Sequence, residues 1–148
     1  RAAETGHLVV CTMHTIDAAD TIQRFVDFFG EQRGPLARQM LAGTLVGVCS
    51  QRLIPGTRGG MSLNAEVLLN TARIQDLIVE GMSASEVHKA IKEGDFYGMQ
   101  SFDQSLLQLV RSGSVSEEDA LSYASSPNDF RLSLQQTESS PYAGVTGS

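Results

Sequence analysis

Residues 1–15, RAAETGHLVVCTMHT, decide the fold, because they join a helix end to an apolar run and then to a polar segment. Residues 1–6 read as the last turn of a helix closed by Gly6, since glycine adopts the left-handed conformation that ends many helices. The mainly apolar residues 7–11 predict a strand buried on both faces of a parallel sheet. Residues 12–15 would then lie at the carboxyl end of that strand, where open parallel sheets bind ligands.

The polar segment supplies the candidate site residues Thr12, His14 and Thr15. Two hydroxyl groups and an imidazole can hydrogen-bond a phosphate or the water that attacks it. The alternative is structural, with the threonines capping the next helix and His14 satisfied by hydrogen bonds, and spacing alone favours this alternative. His7, at the start of the strand, is expected to be structural on the same grounds, and His88 is expected at a helix surface.

Composition and charge exclude several classes of function. The 148 residues carry 17 acidic and 11 basic side chains, a formal charge of -6, so nucleic acid is not an expected partner. No apolar run approaches the roughly 20 residues that span a bilayer. The three histidines lack the spacing of a metal site, so none is predicted. Cys11 and Cys49 are expected to be buried small hydrophobic residues.

The middle of the chain predicts two helices and a hairpin. Thr15 or Asp17 is expected to cap a first helix that reaches Gly30. A second helix is expected to begin at Pro35 and to contain Cys49. Two strand-like runs then flank residues 56–60, GTRGG, which predicts an antiparallel hairpin. That turn lacks the G-x-x-x-x-G-K-[ST] order of a phosphate-binding loop.

The last part of the chain predicts small helices and a tail. Capping motifs at Ser83, Ser101 and Ser116 open three helices that stop at Gly94, at Gly113 and before Pro127. The residues beyond 134 are too polar to repay the entropy of ordering them, so a disordered tail is expected. The fold class is therefore α/β followed by helices, with predicted domains at residues 1–70, 71–134 and 135–148.

Residues 1–15 resemble the histidine box of the type II/IV secretion and pilus-retraction ATPases, in which A-A-E-T-G-H leads into a strand and then T-x-H-T. The resemblance covers nearly all of the chain except the tail. It continues through SQRLIP at 50–55, EVLLNT at 66–71, GMQSFDQSL at 98–106, EDAL at 118–121 and NDFRL at 128–132. The order is that of PilT/PilU-type ATPases, and the lack of a four-cysteine metal loop favours the pilus branch over the secretion branch.

The resemblance implies the C-terminal half of a RecA-like P-loop ATPase core followed by a small helical bundle. It also implies a full-length cytoplasmic protein that uses ATP and Mg²⁺ and forms a homo-hexamer or a mixed ring with a paralogous motor. That ring would meet platform proteins of the inner membrane at the pilus base. His14, with Thr12 and Thr15, would sense the γ-phosphate or order the catalytic groups, and His7 would lie behind them or at a subunit interface.

Two departures from the family limit this expectation. The family's Walker A loop, aspartate box and Walker B acid precede the histidine box and are absent here, so the chain is expected to be a C-terminal fragment that does not hydrolyse ATP alone. In residues 73–80, RIQDLIVE, Gln75 and Val79 replace two arginines of the retraction-linked helix. This favours an accessory, PilU-like motor, with a non-catalytic interaction module of a pilus or type II secretion ring as the alternative.

Overall fold

The computed structural model describes residues 2–81 and 83–138, with only the backbone described for residues 137 and 138. The chain divides into two compact units. Unit 1 comprises Arg1–Gln51 and Ala65–Ser101, and unit 2 comprises Arg52–Asn64 and Phe102–Ser148. The predicted domain boundary after residue 70 stays a prediction.

Helices dominate the described residues, with one hairpin among them. The helices are α1 (Ala18–Asp27), α2 (Gly30–Thr44), α3 (Ala72–Glu80), α4 (Ala84–Lys92), α5 (Phe102–Arg111), α6 (Glu117–Tyr123) and α7 (Pro127–Glu138), and the strands are β1 (Gly47–Pro55) and β2 (Met61–Leu69). Short 3₁₀ turns occur at Ala3–Thr5 and Asp95–Tyr97. The first of these turns is closed by Gly6 at φ 82°, as predicted for residues 1–6, of which Arg1 lies outside the described residues.

The hairpin confirms the prediction made for GTRGG. Backbone bonds from Gly56 N to Gly60 O (3.0 Å) and from Asn70 N to Val46 O (3.1 Å) bracket the two strands at either end. The turn places Gly59 at φ 80° and Gly60 at φ 78°, a region that glycine enters without steric cost. A 2.6 Å hydrogen bond from Thr57 Oγ1 to Gly113 O anchors the turn within unit 2. The turn therefore has a structural role.

Each unit has its own hydrophobic core. In unit 1 the core includes fully buried residues of α1, the hairpin, α3 and α4, namely Ala18, Ile22, Leu68, Ile74, Ile78, Val87 and Ile91. The core of unit 2 contains Ile54, Leu106, Val115, Ala120 and Phe130. Ile74 and Ile78 therefore pack α3 onto unit 1, and Leu77 packs against the same core from a partly buried position.

The predicted helix starts are largely confirmed. Asp17 caps α1, and Ser83 forms a reciprocal capping box with Glu86 at the start of α4. Ser116 caps α6 by accepting the Asp119 N–H. α5 begins at Phe102, directly after the predicted cap residue Ser101.

The predicted start and end of the second helix were wrong. α2 begins at Gly30 and contains Pro35, and it ends at Thr44. Proline is tolerated there because the carbonyl that it leaves without a helical partner belongs to the exposed Glu31 near the helix start. Cys49 consequently lies in β1, not in a helix.

Burial of the two cysteines was also predicted wrongly, because both are exposed. Cys49 lies on the outward face of β1, where alternate residues point away from the core. Cys11 lies in the exposed segment before α1.

Residues 7–11 form no strand, contrary to the prediction. Leu8 is 82% exposed and Val10 is 85% exposed. A strand forms where a neighbour accepts its backbone hydrogen bonds, and within 2–81 and 83–138 the sheet consists of β1 and β2 alone. The predicted parallel sheet is therefore not present in this part of the chain.

α7 extends to Glu138, so it contains the first four residues of the predicted tail. Leu134 packs against the unit 2 core, and its packing holds the polar residues that follow it in the same helix. The remainder of the predicted tail, residues 139–148, lies outside the described residues. In the described part of the chain no helix has the length and apolar character to cross a membrane.

Candidate functional site

The polar segment of residues 12–15 directly precedes α1. Thr12 and His14 are exposed, and Thr15 is half-buried. The structure brings these three residues together only as neighbours along the chain. Their side chains can therefore meet a group that arrives at the surface before the first turn of α1.

Thr15 is tied to α1 by a chain of hydroxyl hydrogen bonds. Thr21 Oγ1 donates to Asp17 O at 2.8 Å, because a carbonyl can only accept. The 2.6 Å contact between the Thr15 and Thr21 hydroxyls is then donated by Thr15. Thr15 keeps only acceptor capacity for a ligand, so its hydroxyl serves mainly to hold the segment.

Carboxylates occupy the N-terminus of α1. Asp17 Oδ1 accepts the Asp20 N–H at 2.8 Å, and Glu66 Oε1 accepts the Ala18 N–H at 2.9 Å. Asp20 Oδ2 accepts the Ile16 N–H at 3.2 Å. A helix N-terminus attracts anions through its free amides, but here acidic side chains already occupy it. Any recognition of phosphate by this segment thus comes from side chains such as Thr12 and His14.

Glu66 is a structural residue that the motif analysis missed. It is only 3% exposed, and it joins β2 to the first residue of α1. The period of two in β2 places it on the same inward face as the fully buried Leu68. The sequence signal for this role was an acidic residue on the inward face of a strand. A buried carboxylate requires hydrogen-bond donors, so such a residue indicates a partner elsewhere in the chain.

His88 was expected at the surface, and it has a partner that its sequence position does not suggest. Its side chain is 45% exposed, and Nε2 donates to Asp17 Oδ2 at 3.1 Å. Asp17 lies 71 positions earlier in the sequence, and its side chain is only 13% exposed. It uses one carboxylate oxygen for the helix cap and the other for His88.

His7 is exposed and lies beside the 3₁₀ turn. Thr5 Oγ1 donates to Ala2 O at 2.9 Å, so the 3.0 Å contact between Thr5 Oγ1 and His7 Nδ1 is donated by the imidazole. In the neutral ring this leaves Nε2 as a hydrogen-bond acceptor that faces solvent. His7 can thus accept a hydrogen bond from a ligand or from a neighbouring chain.

The same residues provide no place for a divalent cation. Across the described ranges there is no group of three or more His, Cys, Asp or Glu side chains that could hold a metal ion. The hydroxyl groups and the imidazole of residues 12–15 are not the carboxylate ligands that Mg²⁺ prefers, so this segment does not fit a Mg²⁺ site. What the segment offers is hydrogen bonding from one hydroxyl and one imidazole that are both accessible.

Comparison with known proteins gives consistent matches. Residues 1–58 match the family model described as type II/IV secretion system protein. The type IV pilus retraction ATPase PilT of Pseudomonas aeruginosa is 42% identical over 129 residues, which is 87% of this chain and 37% of that protein. The type IV pilus ATPase PilU of the same organism is 39% identical over 134 residues, or 90% of this chain and 35% of that protein.

A solved structure agrees with these matches. The crystal structure of the pilus retraction motor PilT with bound ADP has a TM-score of 0.71 and 36% identity, covering 88% of this chain and 36% of that chain. This match confirms the predicted α/β class, that of the RecA-like ATPases with their following helices. The chain spans little more than a third of the length of the curated relatives it matches. Residues 1–58 thus match the type II/IV secretion system protein family, and nearly all of the chain is similar to the pilus ATPases PilT and PilU.

Proposed function

We propose that this chain is the C-terminal part of a hexameric ATPase that drives or assists retraction of type IV pili. The similarity to PilT and PilU over almost the whole chain supports the activity. Their greater length supports the view that other segments complete the enzyme. On this proposal the 148 residues do not hydrolyse ATP alone.

The exposed apolar segment before the site carries the proposal. Leu8, Val9 and Val10 are 82%, 54% and 85% exposed. Three consecutive apolar side chains are costly to leave in water, at about 1.5 to 3 kcal/mol each when compared with full burial. We propose that segments outside this chain cover them and pair with residues 7–11 as a parallel strand. Residues 12–15 would then lie at the carboxyl end of that sheet, beside the nucleotide.

In this arrangement His14 and Thr12 would sense the γ-phosphate or order the groups that act on it. Both are exposed and can turn towards a ligand. Thr15 would hold the segment against α1 through Thr21. His7, with its free Nε2, would act behind them or across a subunit boundary.

The nucleotide and Mg²⁺ would be held mainly by residues that this chain does not contain. The structural match is to a PilT structure with bound ADP, which supports a nucleotide as ligand of the complete protein. We propose further that the complete protein forms a homo-hexamer or a mixed ring with a paralogous motor. It would act in the cytoplasm at the pilus base, against platform proteins of the inner membrane.

The outward face of α3 favours an accessory, PilU-like role. Gln75 is exposed and Val79 is 48% exposed, so neither residue gives this face a positive charge. Ile74 and Ile78, which directly precede them, point into the core, are fully buried and serve packing alone. The lack of positive charge at positions 75 and 79 is also the observation that favours the second candidate, a non-catalytic interaction module within a pilus or type II secretion ring.

The decisive test uses the complete protein from the source genome. It should hydrolyse ATP in a Mg²⁺-dependent manner, whereas the 148-residue chain should show no turnover above buffer. Expression in a host that lacks its own accessory motor should restore twitching on agar, while expression in a host that lacks the main retraction motor should not. A complete protein without ATP turnover that still restores twitching would favour the interaction module and overturn the motor proposal.

A further inference from the structure

His88 connects two elements that are each fixed to the core of unit 1. On α4 its neighbours Val87, Ala90 and Ile91 are buried, so the helix that carries it has little freedom to shift. The first turn of α1 is held in the same core by Ala18 and Ala19. The 3.1 Å bond from His88 Nε2 to Asp17 Oδ2 therefore spans two rigid elements.

Asp17 transmits that connection to the polar segment. Its other oxygen caps α1 through the Asp20 N–H, and its backbone carbonyl accepts the Thr21 hydroxyl that in turn holds Thr15. Only Ile16 separates Thr15 from Asp17 along the chain. A shift of Asp17, whose side chain His88 holds and whose carbonyl holds Thr21, is thus passed to Thr15.

We propose that His88 is a positioning residue for the segment of residues 12–15. It acts through Asp17, and it touches neither the nucleotide nor the reacting atoms. This inference rests on the proposed ATPase function, because the segment is placed at the nucleotide only there. It assigns to α4 a role in ordering the nucleotide-facing segment, in addition to its packing in unit 1.

Two substitutions separate positioning from packing. His88→Ala removes the donor, whereas His88→Gln retains a side-chain N–H that can reach the same Asp17 oxygen. Lys89→Ala is the matched control, since Lys89 is the next residue on α4 and its side chain is 68% exposed. Each substitution is made in the complete protein for kinetics and in the 148-residue chain for amide hydrogen exchange.

The kinetic readout is the separate effect on kcat and KM for ATP. We expect His88→Ala to lower kcat about fivefold, the low end of the usual range for coupling between sites, with little change in KM. His88→Gln should recover most of the loss, and Lys89→Ala should match the wild type. An unchanged kcat in His88→Ala, or a loss that glutamine does not recover, would overturn the assignment.

Amide exchange tests the positioning without reference to ATP. In His88→Ala the amides of Ile16 and Asp20 should exchange faster, while the rest of α4 keeps its protection. Unchanged exchange at both amides overturns the inference whatever the kinetics show. If exchange rises there while His14→Ala leaves turnover unaltered, the positioning contact stands and the proposed function of the segment fails.

Discussion

Replacing Glu66 with alanine should loosen the start of α1 and destabilise unit 1. Glu66 is 3% exposed and accepts the N–H of Ala18, which is itself fully buried. The substitution leaves that amide without its acceptor in a place that water does not reach. Losing a partner in this way costs about 1 to 3 kcal/mol.

Two further terms set the magnitude for Glu66. Removal of one buried methylene group, Cγ, adds about 0.8 kcal/mol. Release of a buried carboxylate works in the opposite direction, because that charge was kept from water. We therefore expect the free energy of unfolding of unit 1 to fall by about 1 to 3 kcal/mol.

Glu66→Gln provides the matched comparison. The side-chain oxygen of Gln can still accept the Ala18 N–H. The free energy of unfolding should therefore fall by only about 1 kcal/mol, the usual contribution of a charge at a helix N-terminus. Glu80→Ala, at the exposed end of α3, controls for the removal of an acid and should have almost no effect.

Urea unfolding, followed for unit 1 by hydrogen exchange and mass spectrometry, measures these differences. The midpoint for Glu66→Ala should fall by about 0.5 to 1.5 M. A shift no larger than that of Glu80→Ala would refute the capping role of Glu66. Equal losses for alanine and glutamine would show that the charge, and not the hydrogen bond, stabilises the helix start.

Three further predictions concern packing and charge in unit 1. Because Ile78 is fully buried, Ile78→Ala should lower the free energy of unfolding by about 2 to 5 kcal/mol. Ile78→Val should lower it by only about 0.5 to 1.5 kcal/mol. Equal urea midpoints for the two variants would contradict this prediction. Gly94→Ala should lower the calorimetric Tm, because a Cβ there would lie 2.1 Å from Met99 Cε. An unchanged Tm would contradict this prediction and show that Met99 moves aside at no cost. The side-chain hydrogen bond from Ser83 holds the pKa of Glu86 below its ordinary 4.5, so the contribution of Glu86 to stability is fully present above that pH and is lost as the pH falls through the lowered value. As the pH falls through the lowered pKa of Glu86, amide exchange in the first turn of α4 should rise in the wild type relative to Glu86→Gln. Identical dependence of exchange on pH in the two proteins would contradict the role given to Glu86.

The elements predicted correctly are those with local signals. Asp17, Ser83 and Ser116 cap their helices through amides three residues further on, so the sequence nearby contains all that is needed. The hairpin is similar, because its glycine-rich turn and the alternation in β2 lie within about 20 residues.

The elements predicted wrongly depend on partners at a distance. Residues 7–11 have the composition of a central strand, yet a strand requires neighbours, and none lies alongside them in the described chain. The exposure of Cys11 follows from the same cause. Proline is common at the first position of a helix and therefore predicts a helix start at Pro35, but the residues before it extend α2 back to Gly30.

The candidate site shows the same division. The position of residues 12–15 before α1 could be predicted, because it depends on chain order alone. The partners Glu66 and His88 could not, since each meets α1 across more than 45 residues of sequence. For Glu66 the inward register of β2 was a usable signal, whereas nothing near His88 indicates Asp17.

The central claim is that the segment containing His14 lies at the nucleotide of the complete ATPase. Steady-state ATP turnover of the complete protein carrying His14→Ala, measured beside Lys89→Ala, tests it most directly. We predict that kcat falls about tenfold or more, as is usual when a positioned donor or proton-transfer group is removed, while circular dichroism shows an intact fold. Turnover equal to that of Lys89→Ala would contradict the claim.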